Sequence, residues 1–502
     1  MLAKLISAVP VVGLAVSAGV LIGVGFVVPL LWPVSIIGVS LTLAIVYRSQ
    51  SAWTSARFVM LVWLSKSLLA LAWVWSTYPI DWLVFPSPLT QLGAIGIYWF
   101  SGAVWLALGG GVFGWVLCKV KNATQPRLYI WLVLAPPLWL GCELLGAGLF
   151  SIFTLGPDSY IQTYMSFGMT GYLFGFSNVG LALASVVGLY GLTVIWIGLG
   201  TLGYYLLAKN KMAIVAVLLC SFIFAGYLID VMENDSSEPS TKTSLVAINT
   251  QFRATDLQTK LGYEKKVTLT AKLVGVALST NPDYVLLPED SRYYQSKYLD
   301  QKPSWVMAHY KFTHLNTTSI LIDSGRQDLP DGTAVLRATI FDGRQSKLYQ
   351  FDKQYLVPQG EYLPYVYTSF LRLLGYRAAM DSLAKNVSYR RGALEQTSEV
   401  PTHIPGVLFC FESVQANRIT QLQAMRSIPF VVHPISHAWF HDSQILQQQL
   451  DVMLQIQARY NNTSIVSAGN MVQGKLYRAD GTITLGKVID EGEGYTLREF
   501  VF

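Results

Sequence analysis

From residue 5 to residue 229 the chain alternates long apolar runs with short polar breaks; from residue 244 onward the apolar runs are short and alternate with amphipathic stretches. A helix that crosses a bilayer needs about 20 apolar residues. The runs at 5–22, 28–47, 57–77, 93–118, 128–149, 178–207 and 212–229 are of that order, which predicts seven spans. No small-residue cleavage site follows the first run and hydrophobicity resumes at once, so it reads as a retained span rather than a signal peptide. Pro157–Ser177 is too mixed to span and reads as an outer interfacial loop with Tyr and Phe at headgroup depth. Residues 1–230 are therefore predicted to form a helical membrane domain, 231–243 (acidic, Ser-rich, with Pro239) a linker, and 244–502 a water-facing domain.

In that last domain the pattern predicts strands at Leu245–Asn249, Tyr284–Leu287, Ser319–Asp323, Ala334–Phe341, Lys347–Phe351, Gly406–Phe409, Phe430–Pro434, Ser464–Ser467, Lys475–Arg478 and Thr482–Leu485. Helices are predicted at Tyr263–Ser279 and Ser443–Tyr460, and turns at Asp342-Gly343 and Asp480-Gly481. Strands alternating with helices, followed by hairpins, indicate a layered α/β sandwich.

Composition sharpens the division. Only 13% of the 502 residues are charged and 52% are hydrophobic, where a soluble chain carries about a quarter charged residues. Lys4, then Arg48 and Arg57, then Lys119, Lys121 and Arg127, then Lys209 and Lys211 fall on alternate loops, while the intervening loops carry Asp81 and Asp158. The positive-inside tendency then makes the N-terminus cytoplasmic, and seven spans put the C-terminal domain outside. The net charge of +6 has no basic cluster interleaved with aromatics, so no nucleic-acid partner is expected.

Of the four cysteines, Cys118, Cys142 and Cys220 lie in or beside apolar runs, and only Cys410 belongs to the C-terminal domain. Cys410 ends a buried strand and is followed by Phe411 and Glu412. It is open to two readings, a buried filler or a nucleophile. Glu289 and Lys353 also follow strands. A desolvated Glu is able to act as a base toward a thiol. A Lys ammonium, with the backbone N–H of Phe411, is able to hold an oxyanion. Together these groups suit acyl transfer through a thioester.

Inside the spans stand Lys66 and Glu143, which read either as functional groups or as a structural ion pair. Trp53, Trp63, Trp73 and Trp75 read as interface or packing residues, and Gly109–Gly111 as helix packing. His433, His437 and His441 do not share a helical face, so no metal site is expected. The stretch Tyr362, Leu363, Tyr365, Val366, Tyr367, Phe370, Leu371, Leu373 and Leu374 reads either as an arm toward acyl chains or as a packed amphipathic helix.

The series strand-Pro288-Glu289, then Asp352-Lys353-Gln354-Tyr355-Leu356-Val357-Pro358-Gln359-Gly360-Glu361-Tyr362, then strand-Cys410-Phe411-Glu412 resembles the nitrilase (carbon–nitrogen hydrolase) superfamily. Joined to an N-terminal bundle of spans, it resembles the membrane-anchored branch of that superfamily, the apolipoprotein N-acyltransferase family, over nearly the whole chain. The resemblance implies an α-β-β-α sandwich with Glu289 as base, Lys353 as oxyanion stabiliser and Cys410 as nucleophile. Glu361 and Glu412 would be supporting carboxylates, Tyr362 part of the same motif, and Ala438-Trp439-Phe440 the family's AWF. Ser388–Gly392, Gln448 and Asn470 also fall on family-like positions.

It further implies a monomeric, cofactor-free, multi-pass enzyme of the bacterial inner membrane. A phospholipid would be the acyl donor, and the amine of a diacylglyceryl-cysteine apolipoprotein the acceptor. A membrane-tethered amidase or nitrilase, and a non-catalytic receptor or scaffold on the same fold, are the alternatives. The chain departs from the family in having Ser436-His437 before AWF in place of Asn-Asp, and a Gln-rich helix after Trp439 where arginines are usual. It also lacks an Arg after Glu143, and no apolar segment follows the domain.

Overall fold

The computed structural model describes residues 10–80, 87–124, 128–159, 161–163, 165–209, 243–256, 259–315, 317–373, 375, 388–397 and 399–502. The predicted span 212–229, residues 231–242 of the linker, and Lys4, Asp81, Arg127, Lys211, Cys220 and Leu374 lie outside these.

The N-terminal region is helical. Its helices are α1 (Val11–Val27), α2 (Ser35–Arg48), α3 (Ala52–Ala70), α4 (Pro88–Thr124), α5 (Leu128–Phe153), the single turn α6 (Gly171–Gly175) and α7 (Asn178–Ala208). Four segments are long and apolar enough to cross a bilayer: Pro29–Arg48, Pro88–Ala123, Ile130–Phe153 and Asn178–Ala208. The expectation of seven is therefore not met among the described residues. Val11–Val27 is apolar but shorter, and α3 carries Arg57 and Lys66 along its 19 residues.

The bounds shift for local reasons. Pro29 and Pro33 hold the start of the second run in a 3-10 turn, Pro29–Val34, so the α-helix begins only at Ser35. Ser51 caps α3 by accepting from the Thr54 N–H, which starts that helix before residue 57. The third run ends in another 3-10 turn, Ala72–Thr77.

The C-terminal domain runs β1 (Ser244–Thr250), α8 (Lys260–Ser279), β2 (Tyr284–Leu286), α9 (Tyr293–Tyr298), α10 (Pro303–Thr313), β3 (Ile320–Asp328), β4 (Ala334–Asp342), β5 (Lys347–Asp352), α11 (Tyr365–Leu373) and β6 (Gly406–Val407). It continues with a 3-10 turn at Cys410–Val414, α12 (Arg418–Met425), β7 (Val431–Ser436), α13 (Gln444–Tyr460), β8 (Ile465–Asn470), β9 (Leu476–Tyr477), β10 (Ile483–Thr484), β11 (Lys487–Gly492) and β12 (Tyr495–Val501). All strands belong to one sheet, whose two halves, β1–β5 and β6–β10, meet where Thr250 of β1 pairs with Asn470 of β8.

Side-chain alternation shows how the halves face each other. Leu245 and Ala247 of β1, Tyr284 and Leu286 of β2, Val432 of β7 and Val466 and Ala468 of β8 share one apolar core. Their neighbours Val246, Ile248 and Val285 turn the other way, against α8 and α10. Val431 and Ile465 turn toward α12 and α13. Period-2 alternation on two facing half-sheets, each with helices on its outer side, gives four layers in the order α–β–β–α.

α13 is buried on both flanks. Leu454 and Ala458 face the sheet, while Leu446, Leu450, Val452, Met453 and Ile456 join the core of the N-terminal helices. The segment 157–177 also joins that core. Met165, Phe167, Met169 and Tyr172 are buried there, with Phe167 against Trp73 and the Tyr172 hydroxyl bonded to Ser166, which also donates to the Val414 carbonyl. Sequence patterning did not anticipate α9, α10, α12 or the final β11–β12 hairpin, whose second strand pairs antiparallel with β1.

Candidate active site

Three strand ends converge. Glu289 follows β2, and its backbone N–H donates to the Ile435 carbonyl of β7 at 3.4 Å. Lys353 follows β5 and is wholly buried. Its Nζ donates to Glu289 Oε1 at 3.2 Å and to Glu361 Oε1 at 2.8 Å. Cys410 opens the 3-10 turn after β6, half-buried, with its Sγ donating to the Ser436 carbonyl at 3.9 Å.

Electrostatics bind the three together. Burial pushes the Glu289 carboxyl up to about 7, against the pull of Lys353 and with the help of Glu361. The Cys410 thiol is pushed well above its usual range, first by burial and then by Glu289, with Lys353 opposing. Burial works to lower Lys353, but Glu289 and Glu361 outweigh it and hold the ammonium charged. The resting site thus holds a neutral thiol, a carboxyl held near neutrality and an ammonium that keeps its charge.

The supporting residues fix these positions. Glu361 Oε2 accepts from the Val357 N–H at 2.8 Å. Glu412 is fully buried. It accepts from Gln354 N at 2.8 Å, Tyr355 N at 3.3 Å and Phe409 N at 3.1 Å, with Arg418 at 3.5 Å. It ties the loop after Lys353 to the nucleophile turn. Trp439 lies so close over Gly360 that a Cβ there would meet its ring at 2.3 Å. Phe411 packs against the core of the N-terminal helices. Asn470 locks the junction of the half-sheets, accepting from Phe252 N at 2.8 Å and donating to Ser436 Oγ at 3.2 Å.

Segment 388–392 backs the site, Tyr389 N donating to the Glu361 carbonyl at 3.0 Å. Gln448 is half-buried, whereas its neighbour Gln449 is wholly so. His433 and His437 are buried, and burial draws them down to about 3 and about 4, so both are neutral.

The domain is seated on the ends of N-terminal helices. The Tyr362 hydroxyl donates to the Thr154 carbonyl at 2.8 Å, and Tyr365 N to the Leu155 carbonyl at 2.8 Å. Tyr367 of α11 packs on Phe153 and Tyr98, while Tyr365, Val366 and Leu373 are exposed. Phe440 meets Trp73 edge-on at 5.7 Å.

Lys66 and Glu143 pair with each other at 2.6 Å. Thr170 also donates to Glu143, and the ammonium lies 4.5 Å from the Trp63 ring. Three further residues also matter. Asp352 is buried against Arg337 (2.7 Å). Ser166 donates to the Val414 carbonyl, and Gln457 to the Ser413 carbonyl at 2.6 Å. For Asp352 the signal was its place beside Lys353 in the motif. For Gln457 it was a polar residue on the apolar face of a helix.

The C-terminal domain is thus a four-layer sandwich that gathers a cysteine, a lysine and two glutamates in the loops that follow its strands. A carbon–nitrogen hydrolase from Helicobacter pylori G27 matches 52% of this chain and 89% of its own at 14% identity, with a TM-score of 0.35. Over more of its length the chain is similar to proteins named apolipoprotein N-acyltransferase. That of Haemophilus ducreyi is 24% identical over 379 residues (69% of this chain, 70% of the relative). That of Synechocystis sp. is 23% identical over 452 residues (80% and 79%). With that of Aquifex aeolicus the identity is 28% over 182 residues, and the chain spans only 37% of that relative's length. No family model matches the chain.

Proposed function

We propose that the protein is a membrane N-acyltransferase that moves a fatty acyl chain from a phospholipid to the N-terminal amine of a diacylglyceryl-cysteine apolipoprotein through a Cys410 thioester. The observation that carries this reading is the pair of contacts from Lys353 to Glu289 and Glu361 beside Cys410, in a domain seated on apolar helices.

In this mechanism Glu289 takes the thiol proton as Sγ attacks the ester carbonyl of the donor lipid. The C–S bond forms while the oxyanion lies against the Lys353 ammonium and the Phe411 N–H. Collapse breaks the ester C–O bond, and Glu289 returns the proton to the departing lysophospholipid oxygen. The acceptor amine then attacks the thioester and gives its proton to Glu289, the amide forms as the C–S bond breaks, and the departing thiolate takes that proton back from Glu289. Lys353, held charged by two carboxylates, donates no proton at any step. With the N-terminus cytoplasmic, the site would face the outer side of the inner membrane, where both lipid substrates are accessible.

The test is to incubate the purified protein in nanodiscs with an acyl-labelled phospholipid and to seek a hydroxylamine-sensitive adduct, wild type against Cys410→Ala. The adduct is expected on the wild type alone, and its transfer to a diacylated lipopeptide should follow. A wild type without adduct overturns the reading. Release of free fatty acid in place of transfer favours a tethered hydrolase.

A further inference from the structure

The last carbonyls of a helix have no partner within the helix, and away from water each needs one from elsewhere. Phe26 in the last turn of α1 and Ala70 at the end of α3 are buried at 1% and 0% exposure. Both of their carbonyls accept from one side chain of the other domain. The Nε2 of Gln449 on α13 donates to the Phe26 carbonyl at 3.2 Å and to the Ala70 carbonyl at 3.0 Å.

Gln449 is itself 1% exposed and lies among Leu446, Leu450 and Met453, which enter the same apolar core. A buried amide on such a face costs desolvation unless it is bonded. Its Oε1 finds no partner among the described residues, so what it gains comes from the two donations.

Two turns along the same helix, Gln457 Nε2 donates to the Ser413 carbonyl at 2.6 Å, and Ser413 Oγ donates to the Cys410 carbonyl at 2.7 Å. One rigid helix therefore runs from the ends of two N-terminal helices to the turn that carries the candidate nucleophile. We infer that Gln449 is a positioning residue: by bonding the Phe26 and Ala70 carbonyls it fixes, through α13 and Gln457, the placement of the Cys410 turn relative to lipid held by the membrane helices. This rests on the acyl-transfer reading for its consequence in catalysis, but not for the docking itself.

The substitution that tests it is Gln449→Met, which keeps the side-chain length and removes both donors. In nanodiscs, Gln449→Met should slow adduct formation from labelled phospholipid by about tenfold, within the range of measured couplings between distant sites. Alkylation of Cys410 by water-soluble iodoacetamide should be unchanged, because the thiol keeps Glu289 and Lys353 as neighbours. Amide exchange of residues 408–416 should quicken in Gln449→Met as the turn loses its tether.

Unchanged exchange at 408–416 in Gln449→Met overturns the inference. So does an equal loss of the lipid reaction and of alkylation. Should the wild type form no lipid adduct, the acyl-transfer reading falls while the exchange comparison still decides the docking.

Discussion

The Lys353 ammonium lies closer to Glu361 (2.8 Å) than to Glu289 (3.2 Å). Glu361 is anchored in turn by the Val357 N–H. This asymmetry divides the labour of two carboxylates around one cation. Glu289 and Glu361 together keep the Lys353 ammonium charged in a buried site, and Glu361 is the more tightly held of the two. Glu289, bonded less closely and 11% exposed at its side chain, is the one the proposed mechanism uses as base toward the thiol.

The division predicts a pH profile. Glu289 is held at about 7 by burial, and only its ionised form accepts the Cys410 proton. Adduct formation should therefore rise with pH to a plateau with a midpoint near 7. Glu289→Gln should abolish that limb and lower the rate by about 10²–10⁴-fold, the usual contribution of a general base. Stability should run the other way. Between the ordinary value of 4.5 and about 7 the folded state keeps a proton that the unfolded chain releases, so this group's contribution falls as pH rises through that window. Stopped-time adduct assays and thermal melts across pH check both signs.

Glu412 accepts three backbone N–H bonds and faces Arg418 without exposure to solvent. Hydrogen bonds to charged groups contribute about 1.5–3 kcal/mol each, and stripping one partner from a buried charged cluster costs about 3–5 kcal/mol. Glu412→Ala should thus lower the melting temperature markedly and uncouple the loop after Lys353 from the Cys410 turn. Glu412→Gln should be milder in the same melts.

Lys66 and Glu143 satisfy one another, with Thr170 and Trp63 completing the cluster. Lys66→Met alone leaves a buried carboxylate uncompensated and should destabilise the protein by about 3–5 kcal/mol. The double substitution Lys66→Met with Glu143→Gln should recover much of this. A double-mutant cycle on melting temperature in detergent measures the coupling, and a pair that is purely structural leaves adduct formation per folded molecule unchanged in the double variant.

What the sequence made legible follows from where chemistry and periodicity coincide. Glu289, Lys353 and Cys410 could be singled out as candidates because each closely follows a short strand. The two half-sheets alternate cleanly enough that Val246 and Ala247 face opposite layers. The β11–β12 hairpin was hidden because only Leu497 and Phe500 of β12 are buried, so its charged residues concealed the alternation. Segment 157–177 is buried by partners distant in sequence, Phe167 by Trp73 and Gly175 by Val452 and Ile456, and no local pattern records them. The same holds for Gln449 and Ser166, whose partners lie 423 and 248 residues away.

Gly392 offers a test of how tightly the lysine is placed. Its N–H donates to the Lys353 carbonyl at 3.3 Å, and a Cβ there would fall 1.9 Å from the Asp352 Cβ and 2.4 Å from its Oδ2. Asp352 cannot yield freely, because Arg337 holds one carboxylate oxygen at 2.7 Å and the other at 3.2 Å, and the Leu394 N–H also donates to it. Gly392→Ala must therefore push the chain at Asp352-Lys353. Overpacking of this kind costs about 1–3 kcal/mol, and a displacement of about 1 Å at an oriented catalytic group costs about 10²-fold in rate. The expected result is a small fall in melting temperature with a much larger fall in adduct formation, measured on the same preparation. A variant that melts lower yet reacts at the wild-type rate would mean that Lys353 tolerates movement.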